Sequence, residues 1–177
     1  MTSIKRRAAE AHAEVQFAIR DCSLGRVLVA TRGHGVCAIL LGDNAKTLKR
    51  ELRSRFPEET LIEGTKDAVA LSTKVVEAID APALGSDLPL DVAGTPFQRK
   101  VWQALRRIPA GKTASYAEIA RKVGSPKSVR AVAQACAANA LAVAIPCHRV
   151  VRSDGSLSGY RWGVERKRRL LDLEASA

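Results

Sequence analysis

Two apolar runs on either side of a glycine-containing turn constrain the first half of the chain more than any other feature. Residues 25–31 (GRVLVAT) and 35–41 (GVCAILL) are rich in β-branched and apolar side chains. Arg-Gly-His-Gly at 32–35 supplies the glycines that a tight turn between antiparallel strands requires. The pattern therefore predicts a β-hairpin.

Two helices are predicted after this hairpin. Asn44 is suited to cap the first helix, and Pro57 to stop it. Its apolar positions recur every four residues: Leu48, Leu52 and Phe56. A second helix is predicted at about 66–79, and APALGSD at 81–87 is typical of a linker. We therefore predict an N-terminal α/β scaffold domain, a small sheet with helices, over residues 1–86.

The second half has the periodicity of helices. Thr95-Pro96 is a cap followed by proline, a common helix start. The predicted buried positions of that helix are Phe97, Val101, Leu105 and Ile108. Ser115 and Glu118 form a capping box for a short helix over about 116–123. We therefore predict a mainly α-helical C-terminal domain over residues 87–177.

A further helix follows the short one closely. Gly124 is placed to end the short helix, and Ser125-Pro126 to open the next, which is predicted to run to about Ala138. Two helices joined by so short a turn predict a helix-turn-helix. The second helix carries Ala131 and several other alanines behind Arg130. It is either a tightly packed core helix or one whose backbone approaches DNA closely.

The charge balance favours a polyanionic partner. Lys and Arg total 29 against 18 Asp and Glu, a formal net charge of +11, which suits nucleic acid or an anionic membrane surface. Aromatic residues make up only 4%, too few for a single-strand binder that stacks bases on aromatic side chains. No segment approaches the ~20 apolar residues of a membrane span. The start, MTSIKRRAAEAHAE, lacks the apolar run of a secretory signal, so we expect a cytoplasmic protein without a membrane partner.

The four cysteines are Cys22, Cys37, Cys136 and Cys147. They are widely spaced and form no C-x-x-C pair, so disulfides are not expected in a reducing compartment. Cys22, His34 and Cys37 match no standard zinc signature. We therefore expect neither a metal site nor a cofactor.

The stretch AIPCHRVV at 144–151 places a thiol next to an imidazole. Cys147 and His148 suggest nucleophilic chemistry. Consecutive side chains of an extended chain point to opposite faces, so the two cannot simply form a direct dyad. A cysteine hydrolase would explain the nucleophile, but neither the basic charge nor the alanine-rich helix.

Four features of the sequence together resemble the O6-alkylguanine-DNA alkyltransferases. They are the PCHRV motif at 146–150, Asn139 eight residues before the cysteine, the Ser115-Tyr116 pair and the helix of Arg130. SGYRWG at 158–163 is particularly similar to the alkyltransferase half of Ada-type bacterial proteins. The similarity covers about residues 90–174. It implies irreversible, single-turnover transfer of an alkyl group, typically methyl, from O6 of guanine in duplex DNA to Cys147. Activity on O4 of thymine stays open.

The resemblance also implies roles for individual residues. His148 would activate Cys147 through a bridging water, and Glu174 would orient the other ring nitrogen, which is the logic of a catalytic triad with a water inserted. Asn139 would tie the recognition helix to the active-site segment. Tyr116 would reach N3 of the base and help to neutralise the leaving guanine.

Substrate and DNA contacts are implied as well. Backbone groups at Val150, Ser158 and Gly159 would contact the edge of the guanine. The implied DNA-binding residues are Ser115, Arg130, Ala131 and Gln134. Arg130 would fill the stack that a flipped base vacates, while its helix enters the minor groove. The implied partner is double-stranded DNA containing O6-alkylguanine, bound by a monomer that needs no obligate protein partner.

Two other functions stay open at this point. A helix-turn-helix regulator would explain the charge and the paired helices but leave Cys147, His148 and Glu174 without a function. Alkyltransferase-like proteins bind damage without repairing it, but they lack the reactive cysteine.

Ada-type proteins also have an upstream zinc-binding half, and no such cysteine cluster precedes the alkyltransferase motifs here. A standalone enzyme and a fragment of a longer regulator are both compatible with the sequence.

Overall fold

A computed structural model describes residues 13–33, 35–82 and 87–177. Within these residues the chain forms a small mixed sheet, a two-stranded ribbon and six α-helices. The strands are β1 (Glu14–Cys22), β2 (Gly25–Arg32), β3 (Gly35–Gly42), β4 (Thr60–Glu63), β5 (Ala114–Ser115) and β6 (Val150–Val151). The helices are α1 (Ala45–Arg55), α2 (Lys66–Asp80), α3 (Pro96–Arg106), α4 (Tyr116–Lys122), α5 (Val129–Ala138) and α6 (Val164–Ala175). None of the described helices has the length and apolar character needed to cross a membrane.

The main sheet has the strand order β3-β2-β1-β4. β2 pairs antiparallel with both β1 and β3, which confirms the predicted hairpin, although His34 of its turn lies outside the described residues. β4 joins β1 in parallel. Helix α1 packs on β2 and β3, and α2 packs on β1 and β2, so the continuous apolar run of β2 is buried on both faces.

The predicted caps of α1 and α3 are present. Asn44 accepts a hydrogen bond from the Thr47 backbone N–H at 2.9 Å and starts α1. α2 ends one residue beyond the predicted boundary. α3 begins with a capping box between Thr95 and Gln98. The N-terminal half is therefore an α/β unit, as predicted, and the four residues at 83–86 of the predicted linker lie outside the described residues.

The predicted start of α5 at Ser125-Pro126 is wrong: the helix begins at Val129. Gly124 ends α4 with φ +77°, and the backbone N–H groups of Gly124 and Ser125 donate to the carbonyls of Arg121 and Ala120. This is a Schellman cap. The chain then makes one more turn over residues 125–128, in which the Ser128 N–H donates to the Ser125 carbonyl, before α5 begins.

Two pieces of β structure that the sequence did not predict hold the chain on either side of Cys147. The ribbon pairs β5 in parallel with β6, so the entrance to α4 lies beside the residues that follow Cys147. On the open edge of β3, the Ile39 N–H donates to the Ala140 carbonyl at 2.8 Å, and the Ala142 N–H donates to the Ile39 carbonyl at 3.1 Å. The sheet of the first half thus holds the chain that leads from α5 to Cys147. The domain boundary at residues 86 and 87 stays a prediction.

Candidate active site

Cys147 begins a single 3-10 turn, Cys147–Arg149, directly after Pro146. Its side chain is buried, with 4% of the residue exposed. The Asn139 amide nitrogen donates to the Ile145 carbonyl at 2.9 Å and to the Cys147 Sγ at 3.3 Å, and the Asn139 Oδ1 accepts from the Leu141 N–H at 2.8 Å. Asn139 is also the C-cap of α5. One buried amide therefore connects the end of α5 to the thiol.

The chain between Asn139 and Cys147 contains a strained residue. Val143 has φ +69°, the left-handed region, which a β-branched side chain strongly disfavours. The bonds from Ile39 on one side of Val143 and from Asn139 on the other hold the backbone in this conformation. Local geometry here is therefore imposed by the surrounding structure.

Behind the thiol lies a buried charged cluster. His148 Nε2 is 2.7 Å from Glu174 Oε1, and the side chains are 0% and 3% exposed. Arg149 donates from Nε and Nη2 to the same carboxylate, at 3.0 and 2.8 Å, and from Nη1 to the Ile108 carbonyl at 2.6 Å. An ionised carboxylate can only accept, so Nε2 of a neutral His148 carries the proton and Nδ1 keeps its lone pair.

Burial and neighbouring charges set the ionisation of these groups. Burial opposes the charge on Glu174, but hydrogen bonds from His148 and Arg149 outweigh it and lower the pKa of the carboxyl to about 2. Burial lowers the pKa of His148 from 6.5, partly against the hydrogen bond to Glu174. Burial raises the pKa of Cys147, against the hydrogen bond from Asn139 and the charge of Lys167. The resting thiol is therefore protonated at neutral pH, and it needs a base such as His148.

No hydrogen bond joins Cys147 to His148 within the described part of the chain, as expected for neighbouring residues. The His148 Nδ1 atom is buried and has no hydrogen-bond partner among these residues. A neutral imidazole with a free lone pair is a competent base at this position. The arrangement can deprotonate the thiol only through an intervening group.

In front of the thiol lies a cavity of about 780 Å³. It separates one face of α5 from the loop that follows β6. Its lining residues are Tyr116, Val129, Arg130, Ala133, Cys136, Ala137, Cys147, Arg152, Ser158, Gly159, Tyr160 and Arg161. The volume suits a ligand of the size of a nucleobase or somewhat larger, and two thiols, those of Cys136 and Cys147, line it.

Four of the predicted site residues line this cavity together with Cys147. Tyr116, Ser158, Gly159 and Arg130 line it, and the Tyr116 hydroxyl is hydrogen-bonded to the Ser158 hydroxyl. Val150 lies outside the lining, buried in β6, and its N–H donates to the Cys147 carbonyl.

The remaining predicted DNA-binding residues lie around α4 and α5. Gln134 is exposed on α5, and Ala131 is half-buried there. The Ser115 hydroxyl accepts from the Glu118 N–H and caps α4. This hydrogen bond and its counterpart from the Ser115 N–H to the Glu118 carboxylate confirm the capping box that the sequence predicts.

Two residues with functional contacts were not singled out from the sequence. Arg149 belongs to the PCHRV motif, and its planar guanidinium matches a carboxylate, which was a usable signal. Lys167 is one of several basic residues in ERKRR, and nothing in that run distinguishes it. Its side chain is nonetheless fully buried, and its ammonium donates to the Ser158 hydroxyl at 3.0 Å.

No group of three or more potential metal ligands occurs in residues 13–33, 35–82 and 87–177. Cys22 lies in β1 and Cys37 in β3. His34, the third residue weighed as a zinc ligand, lies outside the described residues.

Comparison with known proteins points to one family. Residues 96–176 match the family model for the 6-O-methylguanine DNA methyltransferase DNA binding domain. The chain is 50% identical over 175 residues to the bifunctional transcriptional activator/DNA repair enzyme Ada of Escherichia coli K12, covering 99% of this chain and 49% of that protein. It is 42% identical over 125 residues to the inducible methylated-DNA–protein-cysteine methyltransferase of Bacillus subtilis, covering 71% of this chain and 70% of that one.

The fold agrees with this similarity. The structure of Mycobacterium tuberculosis OGT in complex with DNA superimposes with a TM-score of 0.76 and 33% identity, over 91% of this chain and 93% of that one. The chain spans about half the length of the Ada proteins of Escherichia coli and Salmonella typhimurium. The small mixed sheet, the helices and the PCHRV segment are thus those of a known group, and the chain belongs to the methylated-DNA–protein-cysteine methyltransferase family.

Proposed function

We propose that this chain repairs DNA by direct reversal, moving the alkyl group of O6-alkylguanine irreversibly onto Cys147. The observation that carries the proposal is the position of one thiol between two unlike environments. An open cavity large enough for a nucleobase lies in front of it, and a buried His148–Glu174 pair lies behind it. A binding protein or a regulator has no use for the buried His148–Glu174 pair.

The proposed reaction starts with removal of the thiol proton. A water molecule passes the proton of Cys147 to the free lone pair of His148 Nδ1, and Glu174 stabilises the imidazolium that forms. The thiolate attacks the alkyl carbon in line with the carbon–O6 bond. A carbon–sulfur bond forms, the carbon–O6 bond breaks, and the electron pair stays on guanine. Tyr116 then donates a proton to N3 of the leaving base.

DNA binding is proposed to involve α4 and α5 as a helix-turn-helix, with α5 towards the DNA. The exposed residues of α5 recur at the spacing of one helical face: Arg130, Ala133, Gln134 and Ala137. Three of them are small or uncharged, so the helix can approach the narrow minor groove. Arg130 would occupy the space that the flipped nucleotide leaves. We propose Ser115 and Ala131 as further DNA-binding residues, and backbone groups of Ser158 and Gly159, which line the cavity, and of Val150 in β6 as contacts to the base.

In this proposal the first half, over residues 1–86, is a scaffold. Its sheet edge holds the segment 140–142 through Ile39. An ion pair between Glu51 and Arg161 at 3.0 Å links α1 to the loop of the cavity. A monomer is sufficient, because one chain supplies every group of the proposed site.

The test is stoichiometry. With excess duplex DNA carrying one O6-methylguanine, repair is expected to stop at one lesion per protein molecule, with the methyl group on the peptide that contains Cys147. A thioether is a poor electrophile, and the proposed site holds no group that could remove the methyl. Cys147→Ala is expected to abolish transfer and still bind the lesion. Sustained turnover, or methyl on Cys136, would overturn the proposal, and lesion binding by the wild type without any transfer would favour a damage-binding or regulatory protein.

A further inference from the structure

Five exposed cations on one side of the second half make no ion pair among the described residues. They lie on or beside α3 and α4, and we call them the α3–α4 basic face: Lys100, Arg107, Lys112, Arg121 and Lys122. The ion pairs of the described chain all involve other cations. Arg149, Arg161 and Arg166, by contrast, each bind a carboxylate. The charge of the basic face is therefore available to an anionic partner.

Two adjoining clefts, of about 410 and 510 Å³, lie between these side chains. Arg107 and Lys122 line both clefts. Lys112 and Arg121 are the other cations of the first cleft, and Lys100 is that of the second. Neither cleft shares a lining residue with the cavity proposed for the base. The α3–α4 basic face is therefore separate from the base pocket.

The basic face points away from the side of α5 that is proposed for DNA. The Trp102 Nε1 donates to the Ala135 carbonyl at 2.9 Å, so the inner side of α3 packs against the inner side of α5. Lys100, Gln103 and Arg107 are exposed at the spacing of one helical face, on the outer side of α3. Duplex DNA is stiff over about 150 base pairs. A duplex held along the outer side of α5 therefore does not fold back onto the outer side of α3.

Helix ends account for only part of this charge. Arg121 and Lys122 lie in the last turn of α4, where the helix dipole favours cations. Lys100 lies in the middle of α3 and Lys112 in a loop, so the dipole does not explain either of them. Glu118, the carboxylate that lines the first cleft, accepts a backbone N–H at 2.8 Å in the capping box of α4. An anion from outside the chain would offset the repulsion among the five cations.

We propose that the α3–α4 basic face binds the phosphate backbone of a second DNA segment while α5 holds the first. The inference rests on the proposed DNA binding by α5 and adds a second contact to it. Because the proposed substrate is itself a long polyanion, neighbouring stretches of the same polymer surround the bound protein. Neither cleft is lined by an aromatic residue of the described chain, so the clefts suit phosphates and not stacked bases. The protein then passes between segments without first becoming free, which helps a search for rare lesions.

Direct passage between segments can be measured as the rate at which a labelled duplex leaves the protein. The wild type is bound to a fluorescent duplex without a lesion and mixed with increasing concentrations of the same duplex without label. If the protein must become free first, the dissociation rate does not depend on the competitor concentration. If a second duplex binds before the first leaves, the rate rises with it. We expect a rise on the order of tenfold over a hundredfold range of competitor.

The variant Lys100→Gln/Arg107→Gln/Lys122→Gln removes three charges from the two clefts. Its dissociation rate is expected to change less than about twofold over the same range of competitor, because each lost phosphate contact weakens binding of the second duplex. Single-turnover repair of a short duplex with one O6-methylguanine should be close to that of the wild type, since none of the three residues lines the base cavity. This repair rate and thermal unfolding show that the variant is folded.

Lys46→Gln/Arg50→Gln/Lys74→Gln is the matched control, since it removes two lysines and one arginine that are exposed on α1 and α2. It should keep the wild-type dependence on competitor. A wild-type rate that does not depend on competitor, or an equal dependence in the cleft variant, would overturn the second contact. If polyglutamate accelerated dissociation as much as duplex at equal concentration of charge, an acidic protein would replace DNA as the partner. A wild type that bound no duplex at all would instead contradict the proposed function itself.

Discussion

The two sides of Cys147 differ in almost every physical property. Behind it, His148 and Glu174 are buried and joined at 2.7 Å, and Arg149 completes the cluster. In front of it, α5 presents small and polar side chains around an open cavity, and the exposed cations Arg130, Arg152 and Arg161 line that cavity. The buried cluster is thus shielded from solvent, while the cavity is open on the side proposed for DNA. Changes behind the thiol should affect the rate of transfer, and changes in front should affect access of the base.

The largest expected effect lies behind the thiol. Glu174→Gln replaces the ionised acceptor of His148 and Arg149 with a neutral amide, so the imidazolium formed during the reaction loses its counter-charge. We expect single-turnover methyl transfer to slow roughly 100-fold, with affinity for the lesion changed little. Rates come from rapid-quench measurements and affinities from fluorescence anisotropy of labelled duplex.

Glu165→Gln is the matched control for that variant. Glu165 lies on the same helix and is exposed, with an ion pair to Arg168 at 3.6 Å. Glu165→Gln removes the same charge without touching the buried cluster, so the rate of methyl transfer should stay within about twofold of the wild-type rate. If Glu174→Gln lost affinity for the lesion and kept its rate of methyl transfer, the buried cluster would govern access of the base and not the rate, contrary to the comparison drawn here.

The buried cluster should also make the fold sensitive to acid. The pKa of Glu174 is about 2 in the folded chain against an ordinary value of 4.5, so its stabilising effect is complete above pH 4.5 and is lost as the pH falls towards 2. The pKa of His148 is lowered from 6.5 by burial, so the unfolded chain takes up this proton first and stability begins to fall below pH 6.5. Urea unfolding from pH 7 to pH 3 should show both losses, together on the order of a few kcal/mol.

The same titration of Glu174→Gln sharpens the contrast. The variant has no carboxyl at this position, so its free energy of unfolding should depend less on pH below 4.5 than that of the wild type. Parallel curves for the two proteins in this range would show that Glu174 is not held ionised by His148 and Arg149.

Sequence reasoning worked where the signal was local. The hairpin, the caps at Asn44 and Thr95 and the capping box at Ser115 each depend on residues a few positions apart, and the structure confirms them. It failed where pairing partners are distant in sequence. β4 and the two-residue strands β5 and β6 are too short to show a pattern, and each exists because another segment lies beside it. β1 was also missed, since EVQFAIRDC ends in polar residues and gives a weak alternation.

In the candidate site, too, neighbouring residues were found from the sequence and partners distant in sequence were not. Cys147 and His148 are adjacent, so the motif alone drew attention to both. Glu174 lies 26 residues from His148, and Ser158 lies 42 residues from Tyr116. Only the family resemblance suggested the first pair, and the hydroxyl contact of the second was not predicted at all. Lys167 could not be found from sequence, because burial distinguishes it from the neighbouring basic residues and composition does not.

A smaller effect is expected in front of the thiol, from Arg130→Ala. If Arg130 fills the stack that the flipped base leaves, its loss should slow repair of O6-methylguanine in duplex DNA about tenfold, since unstacking costs a few kcal/mol and the side chain offsets part of it. A single-stranded oligonucleotide with the same lesion has no stack to fill, so repair there should change much less. Lys127→Ala removes an exposed cation from the turn before α5 and controls for general attraction to phosphate, which should weaken binding to both substrates alike. Equal losses of Arg130→Ala on duplex and single strand would reduce Arg130 to a phosphate contact, and the cavity would then need another group to hold the base outside the helix.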